Sequence, residues 1–292
     1  MEVFMKGGPV VTATGTQIVD DYSLEMTGKD VGKLRDAAHA IPPGTRVNVT
    51  FLGNEDLRMR VEAAEAVREL GFVPVPHISA RRLKAQTELE DFLGELQQVG
   101  ASEHVFVIGG DPREAEGPYA DSLSVIDTGL LPKFGVTEVG IAGYPEGHPD
   151  IATSDLWSHL EAKTQSLTDQ GLERVVLTQF AFDADRVSEW VKETRERGID
   201  SLIRIGTPGP AGIKRLLGYA GRFGVGTSAS IVKKYGFSLT NLIGTAGPEK
   251  FLTELADDIA PGSTTDDVKV HFYTFGGLLN TAQWVSDFST GR

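Results

Sequence analysis

The chain of 292 residues contains no cysteine. That absence excludes disulfides, thiolate-held metal ions, thiolate-held iron–sulfur clusters and any cysteine nucleophile. Redox chemistry, if the protein performs it, must come from a cofactor. Long apolar runs are missing too: none approaches the roughly 18 residues that a membrane-spanning helix needs. Met1-Glu2-Val3-Phe4-Met5-Lys6 lacks the basic-then-apolar order of a signal peptide. A cytoplasmic protein with no membrane partner is expected. Positive charge is scarce, with 28 basic against 41 acidic side chains and a formal charge of −13. Such a surface repels polyanions and argues against nucleic-acid binding, and an anionic small molecule would need a local basic pocket. The six histidines show no paired spacing, so no metal site is expected. Neither a Gly-x-Ser-x-Gly elbow, a phosphate loop nor a Gly-x-Gly-x-x-Gly dinucleotide fingerprint is found.

What is present is an alternation of short β-branched runs with segments of helical period, the pattern of a parallel sheet with crossover helices and so of an α/β fold. Strands are read at Tyr22–Met26, Arg46–Phe51, Val73–Ser79, His104–Ile108, Glu138–Gly143, Arg174–Phe180, Ser201–Ile205 and Lys269–Phe275. That is about eight, the number that closes a (β/α)₈ barrel. Leu89, Phe92, Leu93 and Leu96 recur at helical spacing, as do Val187, Trp190, Val191 and Thr194. Asn54 with Glu55-Asp56, and Asp183 with Asp185, supply capping groups at helix starts. Roughly sixty residues between the seventh and eighth strands hold extra helical segments, including Pro248–Ile259, read as an insertion. The expectation is one (β/α)₈ domain over residues 1–292, with residues 1–20 packed on the barrel. Its last strand begins so near Arg292 that no fused regulatory domain is expected.

In a barrel of this kind the active site forms at the carboxyl ends of the strands. Those positions carry Glu25, Thr50, His77, Asp111, Tyr144, Glu146, His148 and Gln179. Any one of them alone reads best as a hydrogen-bonded rim residue; their joint placement points to a site. Glu25, between apolar neighbours in Tyr22-Ser23-Leu24-Glu25-Met26, should be desolvated and its pKa raised, which suits a general acid. Gly109-Gly110 before Asp111 allow backbone to approach a flat ligand closely, and Pro112 stops the strand. Tyr144-Pro145-Glu146-Gly147-His148-Pro149 holds an aromatic, an acid and an imidazole in a proline-bounded loop. Gly206-Thr207-Pro208-Gly209-Pro210-Ala211-Gly212 is read as a tight turn, with a phosphate site as the second reading.

In order along the chain, these residues resemble the methylenetetrahydrofolate reductases. Ser23-Leu24-Glu25 resembles the family's Ser-Phe-Glu, Val49-Thr50-Phe51 its Val-Thr-Tyr and Pro76-His77-Ile78 its Pro-His-Leu. Gly110-Asp111 is similar to the end of its Arg-Gly-Asp, and Tyr144 to Pro149 to its Tyr-Pro-Glu-x-His-Pro. Thr178-Gln179-Phe180 and His271-Phe272-Tyr273-Thr274 are similar to its Thr-Gln-Phe and His-Phe-Tyr-Thr. The resemblance implies a flavin-dependent barrel in which non-covalently held FAD takes a hydride from NADH or NADPH and passes it to 5,10-methylenetetrahydrofolate, by ping-pong kinetics. It implies Glu25 as the acid that protonates the folate N10, Asp111 as negative charge beside pterin and flavin, and Gln179 as a hydrogen-bonding partner of the pterin. Thr50, His77, Gly110, Tyr144 and His148 would hold FAD, Lys163 would face its phosphates, and Tyr219 would stack on nicotinamide and folate in turn. The chain departs from the pattern at Met26-Thr27-Gly28-Lys29, at Gly109 in place of the arginine, at Gly206-Thr207-Pro208-Gly209, at Gln165 to Gln170 and at Gly276-Gly277. Other readings are a flavin-free folate- or pterin-binding barrel, such as a methyl-transfer partner, and a flavin barrel with a different substrate. A homo-oligomer is compatible with either.

Overall fold

A computed structural model of the chain describes residues 18–51, 53, 55–212, 215–218, 245–259 and 267–291. Eight parallel strands close a barrel: β1 (Ser23–Thr27), β2 (Arg46–Thr50), β3 (Val73–Ser79), β4 (His104–Ile108), β5 (Glu138–Gly143), β6 (Glu173–Thr178), β7 (Leu202–Pro208) and β10 (Val268–Tyr273). Each pairs with its sequence neighbour, and β10 lies between β7 and β1 to complete the ring. Helices α1 (Val31–Ala37), α2 (Leu57–Glu69), α3 (Gln86–Gln98), α4 (Ser122–Ile126), α5 (Thr153–Asp169), α6 (Ala184–Glu196), α7 (Glu249–Ile259) and α8 (Leu278–Thr290) follow the strands. The expected (β/α)₈ architecture is present, and β3, β4 and β5 match their sequence-read bounds at both ends.

The side-chain alternation of the strands builds two cores. Leu24, Met26, Val47, Val49, Ile203 and Ile205 face outward and join the buried stripes of the helices: Leu89, Phe92, Leu93 and Leu96 of α3, and Val187, Trp190 and Val191 of α6. The alternate set faces the axis, where Val75, Phe106 and Leu177 form a smaller apolar plug. Charge fills the amino end. Arg46 forks onto Glu138 across the barrel, its Nη2 2.9 Å from Oε2, and Arg204 donates to the carbonyl and carboxylate of Asp21 at 2.6 and 2.7 Å.

The expected capping group at the start of α2 is Asp56, which accepts the Met59 N–H at 2.8 Å, while Asn54 lies outside the described residues. One local reading changes. Gly206 to Pro208, the first part of the segment read as a turn, is strand: β7 runs on through Gly206 and Thr207 to Pro208, paired with His271, Phe272 and Tyr273. Beyond it, Ala211–Gly212 (β8) and Thr245–Ala246 (β9) form a small antiparallel pair, and α7 packs on α6, so the segment before β10 is an elaboration of the barrel.

Candidate active site

Glu25 stands half-buried near the end of β1, at the barrel mouth. It shares the axis-facing side of β1 with Ser23, whose hydroxyl bonds His271 Nδ1 at 2.9 Å inside the barrel. Thr274 Oγ1 donates to the Glu25 carbonyl at 2.7 Å and fixes the end of β1 against that of β10. Burial pushes the Glu25 carboxyl up to about 8, so it holds its proton at neutral pH. Beside it lies Tyr273, one step past the Leu24–Phe272 pair on the adjacent strand. The phenol reaches across Gly206 and donates to the Thr178 carbonyl at 3.0 Å. Gly206 must be glycine for this: a Cβ there would stand 2.7 Å from the Tyr273 ring and overlap the Thr178 carbonyl. Burial, with the charge of Glu25 next in effect, raises the Tyr273 phenol well above its ordinary range. Sequence reading gave Tyr273 no role, although its period-two spacing from buried His271 was the available signal.

Around this floor the expected residues separate into three groups. Thr50, Gln179, Tyr144 and His148 stand half-buried at the ends of β2, β6 and β5. Tyr144 meets His148 edge-on at 5.4 Å, and His148 Nδ1 accepts the Asp150 N–H at 3.1 Å. The Gln179 carbonyl oxygen accepts the Phe180 N–H at 3.1 Å, which turns its NH₂ away from that bond. A second group is withdrawn from the mouth. His77 is 4% exposed inside the barrel, against Asn48 at 3.2 Å and edge-on to Phe106, and burial, helped by Arg60, drives its pKa down to about 3. Lys163, on α5, is 6% exposed, and burial lowers its pKa to about 8 against the pull of Asp121.

The third group sits on the rim of β3 and β4. Asp111 has a side chain 67% exposed and is held by Arg82 at 2.6 and 3.0 Å. Gly110 takes φ +92°, and a Cβ there would overlap Ser79 Oγ, itself buried with no hydrogen-bond partner among the described residues. Arg81 and Arg82, which the sequence reading did not single out, supply the cations of this rim. Glu146 serves a different end: its Oε1 accepts the Phe182 and Asp183 N–H groups at 2.7 and 2.9 Å, tying the β5 loop to the start of α6. Tyr219 lies outside the described residues.

Residues 27–208 match the family model described as methylenetetrahydrofolate reductase. Methylenetetrahydrofolate reductase 2 of Saccharomyces cerevisiae is 27% identical over 149 residues, which are 48% of this chain and 24% of that protein. Methylenetetrahydrofolate reductase (NADH) 1 of Arabidopsis thaliana is 29% identical over 133 residues, 41% of this chain and 22% of that one. The chain thus matches about a quarter of the length of these relatives. Dihydropteroate synthase from Thermus thermophilus superposes with a TM-score of 0.50 at 13% identity, covering 94% of this chain and 95% of its own, a likeness of fold alone.

Proposed function

The chain belongs to the methylenetetrahydrofolate reductase family, and from that premise we propose that it interconverts 5,10-methylenetetrahydrofolate and 5-methyltetrahydrofolate with FAD and a nicotinamide dinucleotide. The observation that carries this reading is Glu25, a carboxyl at a barrel mouth with its pKa raised to about 8 by burial. Reduction of the methylene bridge adds a hydride to the bridging carbon, breaks its bond to N10 and puts a proton on N10. A carboxylic acid still protonated at neutral pH is suited to deliver that proton. The Tyr273 ring forms an apolar floor beside it, the Gln179 NH₂ group is the donor for the pterin, and Asp111 supplies rim charge that favours a cationic iminium.

A flavin fits the mouth on one observation of the chain itself. Gly109 and Gly110 leave the end of β4 without side chains, and beneath Gly110 lies the unpartnered Ser79 hydroxyl. Gly110 backbone, Thr50, Tyr144 and His148 would hold the ring system, with His77 supporting the shelf from within and Lys163 on the phosphate side. When bound, FAD would relay a hydride between the nicotinamide and the folate carbon, in ping-pong order. A second reading, a folate-binding barrel without flavin, is favoured by the burial of Lys163 and the pairing of Asp111 with Arg82.

The test is the visible spectrum of the purified chain, with FAD added and then, anaerobically, methyltetrahydrofolate. Flavin bands that bleach are the expected result. Yellow protein that does not respond sinks the folate assignment, and protein that takes up no FAD but still binds the folate leaves the second reading.

A further inference from the structure

The rim of β3 and β4 carries two neighbouring arginines in unlike states. Arg82 is compensated, 2.6 Å from Asp111 and 3.8 Å from Glu116. Arg81 donates from Nε to the Ala120 carbonyl at 2.9 Å and from Nη1 to the Pro112 carbonyl at 3.0 Å. Both acceptors are neutral, and no carboxylate among the described residues pairs with it. Its backbone is fastened on both sides, the N–H to the Gly109 carbonyl at 2.9 Å and the carbonyl to the Glu116 N–H at 2.7 Å. The guanidinium therefore sits in a fixed frame, with Nη2 free of any partner among the described residues. It lies over Gly109: a Cβ on residue 109 would stand 3.5 Å from Nη2 and 3.9 Å from Cζ. The space that a side chain at position 109 would use is filled by a cation brought from the turn that follows β3. Its charge also acts on the Tyr144 phenol, which puts it on the mouth side of the rim.

We propose that Arg81 is the phosphate anchor of the site, its free Nη2 binding the pyrophosphate of a dinucleotide beside the Gly109-Gly110 backbone. The proposal rests on the dinucleotide-dependent reading above. Three observations support it: a chain of net charge −13 must gather positive charge locally to hold an anion; Arg81 is the cation of this rim with no carboxylate partner; and a guanidinium held by two carbonyls keeps its remaining edge oriented, as phosphate recognition requires. FAD and NAD(P)H share the pyrophosphate, so the chemistry alone does not choose between them.

The experiment is calorimetric titration of the full chain with FAD, NADH, NADPH, riboflavin and nicotinamide riboside, comparing wild type with Arg81→Gln and with Arg81→Met, which keeps the length of the side chain and removes its charge and its donors. Expected is a loss of roughly 10- to 100-fold in dinucleotide affinity for both variants, the size of a charge-assisted hydrogen bond to phosphate. The two ligands without a phosphate should bind each variant as they bind wild type. Loss confined to FAD, or to the nicotinamide dinucleotides, identifies the occupant. Equal dinucleotide affinity in wild type and variants overturns the anchor and leaves the proposed function standing. Equal losses for all five ligands overturn it as well, since a general distortion would then explain them. Wild type that binds no dinucleotide, yet binds methyltetrahydrofolate, overturns the anchor together with the reading it rests on. Should Arg81→Gln fail to fold, Arg81→Met carries the comparison alone.

Discussion

A carboxyl group becomes a useful acid at neutral pH only where its surroundings withhold water from the charged form, and Glu25 has such surroundings. Its strand turns it toward the axis, and Tyr273 stands beside it on the paired strand β10, whose end Thr274 ties to the Glu25 carbonyl. With the pKa raised to about 8, the proton-donating form predominates below that pH and is lost above it. Folate reduction should therefore fall as pH rises through about 8. Glu25→Gln should lower the folate half-reaction by roughly 10²- to 10⁴-fold, the usual contribution of a positioned acid, and should spare oxidation of the nicotinamide donor. Rapid-mixing measurements of the two half-reactions check this; equal losses in both would remove Glu25 from the proton path. This residue was legible in the sequence because apolar neighbours on a strand announce desolvation. Tyr273 was not, because its role depends on Gly206, on the neighbouring strand in space but 67 positions away in sequence.

At the scale of elements, most of the barrel could be read from periodicity, since each strand is bounded by turn residues and each helix has one buried stripe. The failure at β7 has a physical cause. Gly-Thr-Pro-Gly is turn chemistry in isolation, but here Gly206 is small to let Tyr273 pass and Pro208 stands at the strand's last position, where a missing N–H costs little. Loop-to-loop ties were hidden for a similar reason: nothing local distinguishes a carboxylate that binds substrate from one that binds backbone. Glu146 is the second kind, bridging the β5 loop to the α6 start with two bonds from one oxygen. Glu146→Ala should cost about 2–4 kcal/mol, two charge-assisted bonds with their donors left behind. Glu146→Gln, which keeps an acceptor, should cost less than half as much. Urea unfolding midpoints measure both, and an Ala variant as stable as wild type would show that water replaces the tie.

For the whole molecule, the inward-facing titratable groups set opposite limits on stability. His77 is held near 3 against an ordinary value of 6.5, and His271 is also driven well below it, both by burial. Below pH 6.5 the unfolded chain takes up protons that these folded imidazoles refuse, so stability falls as pH falls. Glu25 works the other way. Its folded value of about 8 lies above the ordinary 4.5, so between those values the folded chain binds more protons and stability falls as pH rises. Below pH 6.5 two buried imidazoles oppose this one carboxyl and the acid loss dominates; above 6.5 their effect is complete and Glu25 alone continues to act. Thermal stability is therefore expected to peak near pH 6.5 and to decline toward about 8. In Glu25→Gln the decline above the peak should flatten, by about 2–4 °C for each kcal/mol recovered in a domain of this size, while the acid limb stays unchanged. Calorimetric melting across that range decides it: parallel wild-type and variant curves above pH 6.5 would mean that Glu25 ionises as freely in the fold as outside it, and the acid at the mouth would have to be sought elsewhere.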